Sequence, residues 1–325
     1  MPRKGRLERA LEEIDAIIDA DPSTVRLERL RAALSKGHAL VAARVASAVR
    51  EERLRELEED LVTAYARFLE DPTKSDPGCQ AKLAILEALD HLERIDAEPF
   101  LSATSYVQRE KAWGPPDDTA VGVRGRGALA LTRLQYRDIL PVLGRLLADP
   151  EPGVRGIAAQ AVAFHGRRDG AALLLLRLGA EESSPEVISE AVRALCELAP
   201  DFARPVVTDM LDDERLRELA AYAAVASERD EALTILVDAV ANAVQSDVRS
   251  VLFTALGVSR RDLARDFLLT TIAEARASDA EACVRALGVH AYDPRVAAAV
   301  REAASKNPAA KLADVVQETF SKEAR

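Results

Sequence analysis

The chain has 325 residues, a formal net charge of −10 and 48% hydrophobic content, with 4% aromatic residues. The acidic balance argues against a protein that coats nucleic acid, and purely apolar runs such as residues 171–176 are far too short to cross a bilayer. The charged start Met1-Pro2-Arg3-Lys4 is no secretory signal, and Cys79, Cys196 and Cys283 are odd in number and widely spaced, fitting neither a disulfide framework nor a zinc site.

In chain order, residues 1–20 predict an amphipathic helix with Leu7, Leu11, Ile14, Ile17 and Ile18 on one stripe. Asp21-Pro22-Ser23 ends it and opens a second helix, which Gly37 stops. Residues 38–70 hold no Pro or Gly and predict one long helix, or two with a bend near Glu51-Glu52. Residues 71–78 are a loop by composition, and helices are expected over 79–92 and 99–108. An irregular stretch follows at 109–119, Arg-Glu-Lys-Ala-Trp-Gly-Pro-Pro-Asp-Asp-Thr, which holds the single Trp of the chain. Two readings stand for it: a loop that binds, or a loop that Trp113 staples over a groove between repeats.

From there the sequence repeats itself. Ala130, Ala161, Ala194, Ala223, Ala255 and Ala286 sit in equivalent Ala/Val/Leu-rich runs, spaced by 31, 33, 29, 32 and 31 residues. Seven residues before them stand Val123, Val154, Val187, Leu216, Val248 and Asp279, two helical turns away on the same face. Ala88 is an earlier copy, displaced by the insertion. Such a period fits two helices of roughly 12 residues and their turns, a unit too small to bury its own apolar face. No stretch alternates with strand period, so the fold class expected is all-α. Asn307-Pro308 turns the chain into a last helix over 309–320, with Leu312, Val315, Val316 and Phe320 as its apolar stripe. Atypical helices over 1–75 and the segment 307–325 are expected to cap a repeat array over 76–306.

The Asp/Pro turn followed by Val-Arg and an Ala-rich helix resembles the short bacterial HEAT repeats. The match is clearest in Gly153-Val154-Arg155-Gly156-Ile157-Ala158-Ala159-Gln160-Ala161-Val162 and good at Val121-Gly122-Val123-Arg124 and Ser246-Asp247-Val248-Arg249. The unit near Asp213 lacks the Pro, and that at Asp279 lacks Val-Arg. The resemblance implies a right-handed α-solenoid of stacked helical hairpins, a HEAT-like superhelix. It also implies Asp/Arg ladders between neighbouring units, for which Arg124, Arg155, Arg217 and Arg249 are placed, with Asp118 and Asp247 as partners.

Helical geometry places three positions of each second helix opposite the core: Gly125/Leu129/Arg133, Gly156/Gln160/Phe164, Ser189/Arg193/Glu197, Glu218/Tyr222/Ala226, Ser250/Thr254/Val258 and Glu281/Arg285/Val289. The resemblance implies that this stripe lines a concave wall. The candidate binding residues are therefore Trp113, Arg126, Arg133, Gln160, Phe164, Arg193, Glu197, Tyr222, Thr254 and Arg285.

Chemistry-bearing motifs are sparse. His165 and His290 hold equivalent repeat positions four units apart and are expected to make helix-end contacts. Gly122-Val123-Arg124-Gly125-Arg126-Gly127 is Gly-rich but follows no strand, a weak phosphate candidate. Charge is uneven: residues 119–180 carry nine basic and four acidic side chains, residues 181–247 five and sixteen. The expectation is a non-catalytic, cytoplasmic scaffold without metal or cofactor, binding an unidentified protein or peptide on the concave face, with nucleic acid an unfavoured partner and no membrane contact. The alternatives are nucleic-acid binding through the basic girdle 124–177, or an enzyme subunit of the bilin-lyase type, a group with similar short repeats.

Overall fold

The computed structural model describes residues 5–20, 23–308 and 312–320. It holds 20 α-helices among the described residues and one short β-ribbon, and the chain divides into two compact units, Met1–His165 and Gly166–Arg325. In the first unit the helices are α1 (Arg6–Ile18), α2 (Thr24–Lys36), α3 (Ala39–Glu52), α4 (Glu58–Leu69), the single turn α5 (Pro72–Ser75), α6 (Gln80–His91), α7 (Glu98–Ala103), α8 (Val121–Arg133), α9 (Ile139–Leu146) and α10 (Pro152–His165). In the second they are α11 (Ala171–Gly179), α12 (Pro185–Leu198), α13 (Pro200–Asp212), α14 (Arg217–Ala226), α15 (Asp230–Asn242), α16 (Ser246–Val258), α17 (Asp262–Glu274), α18 (Ala277–Leu287), α19 (Pro294–Lys306) and α20 (Leu312–Phe320).

The punctuation follows from local chemistry. Ser23 and Ser184 accept hydrogen bonds from the backbone N–H groups of Arg26 and Val187, and Asp293 from that of Arg295, so each satisfies a donor left open at a helix start. Pro185 and Pro294 stand in first turns, where no backbone donor is needed. Between α3 and α4 the chain bends at Arg53, in the left-handed region at φ 55°, beside the expected Glu51-Glu52 break.

Each unit is a two-layer stack of helical hairpins. In the first, α3, α6, α8 and α10 lie side by side with α2, α4, α7 and α9 behind them; in the second, α12, α14, α16, α18 and α20 form one layer and α11, α13, α15, α17 and α19 the other. The protein is thus an all-α, α-solenoid fold. The repeated alanines are its packing surface: Ala130, Ala161, Ala194 and Ala255 are fully buried, with Ala223 and Ala286 at most 5% exposed. With nothing beyond a methyl group at these positions, successive helices come close. At Gly257 even a methyl would not fit: an added Cβ would lie 2.5 Å from the Ala286 carbonyl oxygen on the next helix.

Three details depart from the sequence expectations. The Gly-rich Gly122–Gly127 stretch is no phosphate loop but the body of α8; a Cβ on Gly125 would meet Ile157 Cδ1 at 2.6 Å and one on Gly127 the Phe100 carbonyl at 2.7 Å, so these glycines serve close helix packing. Gly125, expected to face outward, is accordingly buried. The helix expected over 99–108 ends at Ala103, because the chain from Gln108 onward is taken up by the ribbon β1 (Arg109–Glu110) and β2 (Asp117–Asp118). These strands pair antiparallel, Arg109 opposite Asp118 and Glu110 opposite Asp117.

Candidate functional site

The ribbon carries Trp113 at its tip, and the side chain is fully exposed. The stapling reading does not hold, since Trp113 covers no groove. What is fixed is the base of the ribbon. Asp76 and Lys82 form an ion pair of 3.0 Å with both side chains fully buried. The Asp76 carboxylate also accepts from the backbone N–H of Ala81 and Lys82 at 3.0 Å each, so it closes the N-terminus of α6, where the helix dipole favours a negative charge. Gln108 donates its Nε2 to the Asp76 carbonyl at 2.9 Å. Glu110 Oε1 accepts from Gly78 N at 2.7 Å and from Thr119 Oγ1 at 2.9 Å. On the other strand, Asp118 accepts from the backbone N–H of Gln108 and Ala120 and pairs with Arg124 at 2.8 Å. The loop therefore leaves the solenoid from a hydrogen-bonded platform and holds an aromatic ring in water.

The ionisations of the platform follow. Burial works against charge on Glu110, but the donors Gly78, Gln108 and Thr119 outweigh it and hold its carboxyl below the usual range. Burial likewise opposes charge on Asp118, and Arg124 with two backbone N–H groups outweighs it. Burial pushes Tyr65 up to about 12 and also raises the Cys79 thiol beside Thr119. The sequence singled out Arg124 with Asp118 and marked 109–119 as irregular, but it did not identify Asp76, Lys82, Gln108 or Glu110 as anchors. Lys82, a lone cation in the apolar run of α6, was the signal available.

Arg124 is the ladder residue of this unit. It bonds Asp118, Asp149 at the next repeat's turn (2.9 Å) and the Tyr106 carbonyl (2.8 Å) while only 2% exposed. Arg249 repeats the pattern with the carbonyls of Ala243 and Val244 and, at 3.2 Å, Asp279. The partner is thus Asp279 of the following repeat, where Asp247 had been expected. Arg155 and Arg217 grip the carbonyls of the preceding turn, Asp149 with Pro150 and Leu211 with Asp212.

The outward stripe lies largely where helical geometry put it. Gln160, Phe164, Tyr222, Thr254 and Arg285 are exposed, as are Val258 and Val289; Arg193 and Glu197 are half-buried. In the second unit Ala226, Val258 and Val289 hold equivalent repeat positions, on α14, on α16 and just after α18, and all three are exposed. The arginines are less free than the sequence implied. Arg126 and Arg133 both pair with Asp90 of α6, Arg126 also with Glu87, and Arg193 bridges Glu190 and Glu197 on its own helix. Elsewhere in the girdle Arg137, Arg167 and Arg168 pair with Asp138, Asp169 and Asp201. His290 makes the helix-end contact expected, with Nε2 2.9 Å from the Gly257 carbonyl.

No family model matches the chain, and no curated protein matches it. Solved structures do. The complex of CpcE and CpcF of phycocyanin lyase from Nostoc sp. PCC7120 is 21% identical, with a TM-score of 0.35, over 69% of this chain and 88% of that one. Human deoxyhypusine hydroxylase is 17% identical, with a TM-score of 0.29, over 76% of this chain and 99% of that one. Both are HEAT-like helical-repeat proteins, the coarse level at which the resemblance of the sequence stands. The expectation of a non-catalytic chain finds no support among them: one is the complex of a lyase and the other a hydroxylase.

Proposed function

We propose that this chain is the partner-binding subunit of an enzyme, gripping a protein through the Trp113 loop. The observation that carries the reading is Trp113 itself. A ring of that size left in water loses the burial that normally accounts for a Trp in a fold, and Trp inserted into a partner's pocket is among the strongest single contributors to association. The platform beneath it lowers the ordering cost of binding, since the loop base is already held. The pairing of the girdle arginines favours a protein over nucleic acid, which needs cations free to neutralise phosphates.

The test is capture from the native cell extract by the tagged chain and by Trp113→Ala. The exposed ring buries nothing, so the substitution is expected to leave stability within about 0.5 kcal/mol and to abolish recovery of the partner. Equal recovery by both proteins removes the loop from the reading. Similarity to the Nostoc phycocyanin lyase complex lends a narrower version, a bilin-lyase type of subunit. Visible absorbance travelling with the purified chain supports it; a colourless preparation that still holds its protein partner sinks the narrower version alone.

A further inference from the structure

The apolar run 171–176 has no part in the Trp113 loop or the outward stripe. Only Ala171 and Leu174 of it are buried in α11. Leu175, with Leu178 one turn on, instead forms one wall of a cleft of about 760 Å³, completed by Ile188 of α12, Val206 and Met210 of α13, and Leu216 and Leu219 at the start of α14. Of these, Ile188 and Met210 are 9% exposed and the others half-exposed. All lie in the second unit, away from Trp113 in sequence.

The floor is apolar and the rim is acidic. Glu181, Glu182 and Asp209 face it against a single Arg215. Arg215 is itself paired with Asp213, and Arg177 with Glu182. The side chains of Glu181 and Asp209, both exposed, make no ion pair or hydrogen bond among the described residues. The cleft opens on the segment of strongest negative charge, residues 181–247, with sixteen acidic and five basic side chains. Apolar floor and uncompensated carboxylate rim call for a ligand with the converse pattern. Its floor is shared by the ends of four helices and carries no converging polar groups, which suits the apolar face of a peptide better than a compact ligand. Met210 adds a side chain that adapts to different aliphatic shapes.

We infer that this cleft takes the aliphatic side chains of a basic amphipathic helix presented by a partner protein. The carboxylates attract its Lys and Arg residues and set its direction, while burial of Leu-type side chains on the floor supplies the affinity. This site is separate from the Trp113 loop and stands or falls independently of it.

The experiment uses the full chain and a fluorescein-labelled amphipathic peptide of Leu and Lys at helical spacing, read by anisotropy. Its counterpart with Glu for every Lys, and decylamine as a compact apolar cation, are run beside it. The Leu/Lys peptide is expected to bind, with the affinity falling about tenfold or more in the charge-reversed Glu181→Lys/Asp209→Lys protein and in Leu219→Glu. The exposed rim substitutions leave packing alone, so they remain informative where Leu219→Glu unfolds. Trp113→Ala is expected to bind this peptide unchanged. No binding of the Leu/Lys peptide, equal binding of the Leu/Glu peptide, or indifference to the rim reversal overturns the inference. Decylamine binding without peptide binding also overturns it, by assigning the cleft to a small cation.

Discussion

At the scale of single residues, the fold rests on places where one side chain has no substitute. Lys82 is one. It is fully buried against Asp76, with its Nζ also 3.3 Å from the Phe68 carbonyl. Replacing it by Met keeps much of the volume but leaves the Asp76 carboxylate buried without its cation, and a loss of about 3–5 kcal/mol is expected in urea unfolding. A loss below about 1 kcal/mol would mean that water or rearrangement supplies the missing charge. Gly257 is another. A methyl there meets backbone rather than a movable side chain, so Gly257→Ala is expected to cost about 1–3 kcal/mol despite Ala being the better helix former. A stabilised variant would show that α16 and α18 separate more readily than their packing implies. The aliphatic and Ala positions of the repeat were legible in the sequence because helical period alone sorts them. Arg126, Arg133 and Arg193 were legible as positions but not as partners: Asp90 and Glu87 reach the first two from a helix about 40 residues earlier, a distance that no local pattern encodes.

At the scale of elements, the ribbon is the departure from an otherwise helical chain. Two residues per strand would not hold by themselves; the Asp118 carboxylate accepts from the flanking backbone donors of Gln108 and Ala120, and that of Glu110 ties the ribbon to Gly78. Both carboxyls are held below their usual range, so folded and unfolded chains differ in bound protons. The unfolded state takes up protons first, hence the stabilisation is fully present above about pH 4, the ordinary carboxylate value, and is lost as the pH falls below it through the lowered folded values. Amide hydrogen exchange over residues 108–120 is therefore expected to quicken between about pH 5 and pH 2 relative to the core of α8, after correction for intrinsic rates. Unchanged relative protection over that range would show that the ribbon is held by backbone pairing alone. The sequence marked this segment as irregular through Trp113 and Gly114-Pro115-Pro116, but assigned it no strands, since the partners that hold it as a ribbon lie at Asp76 and Gly78, in the turn before α6, and at Arg124 in α8.

At the scale of the whole molecule, each of the two compact units has its own buried row of alanines and its own two layers. In a stack, stability is close to a sum of neighbour terms, so a fragment of residues 166–325 is expected to fold alone with cooperative thermal unfolding followed by circular dichroism. Non-cooperative melting of the fragment, with a cooperative full-length chain, would refute that autonomy.

The sequence by itself determined the helical hairpins, their period, the buried alanine row and most of the outward stripe, because each follows from the geometry of about 3.6 residues per turn acting on neighbours in the chain. Only the tertiary structure decided which charges are spent on one another, that Trp113 stands free on an anchored ribbon, and that the run 171–176 leaves an acidic-rimmed cleft. Those outcomes depend on contacts between residues far apart in the chain, where burial and electrostatics act through space and the order of the residues carries no record of the distance.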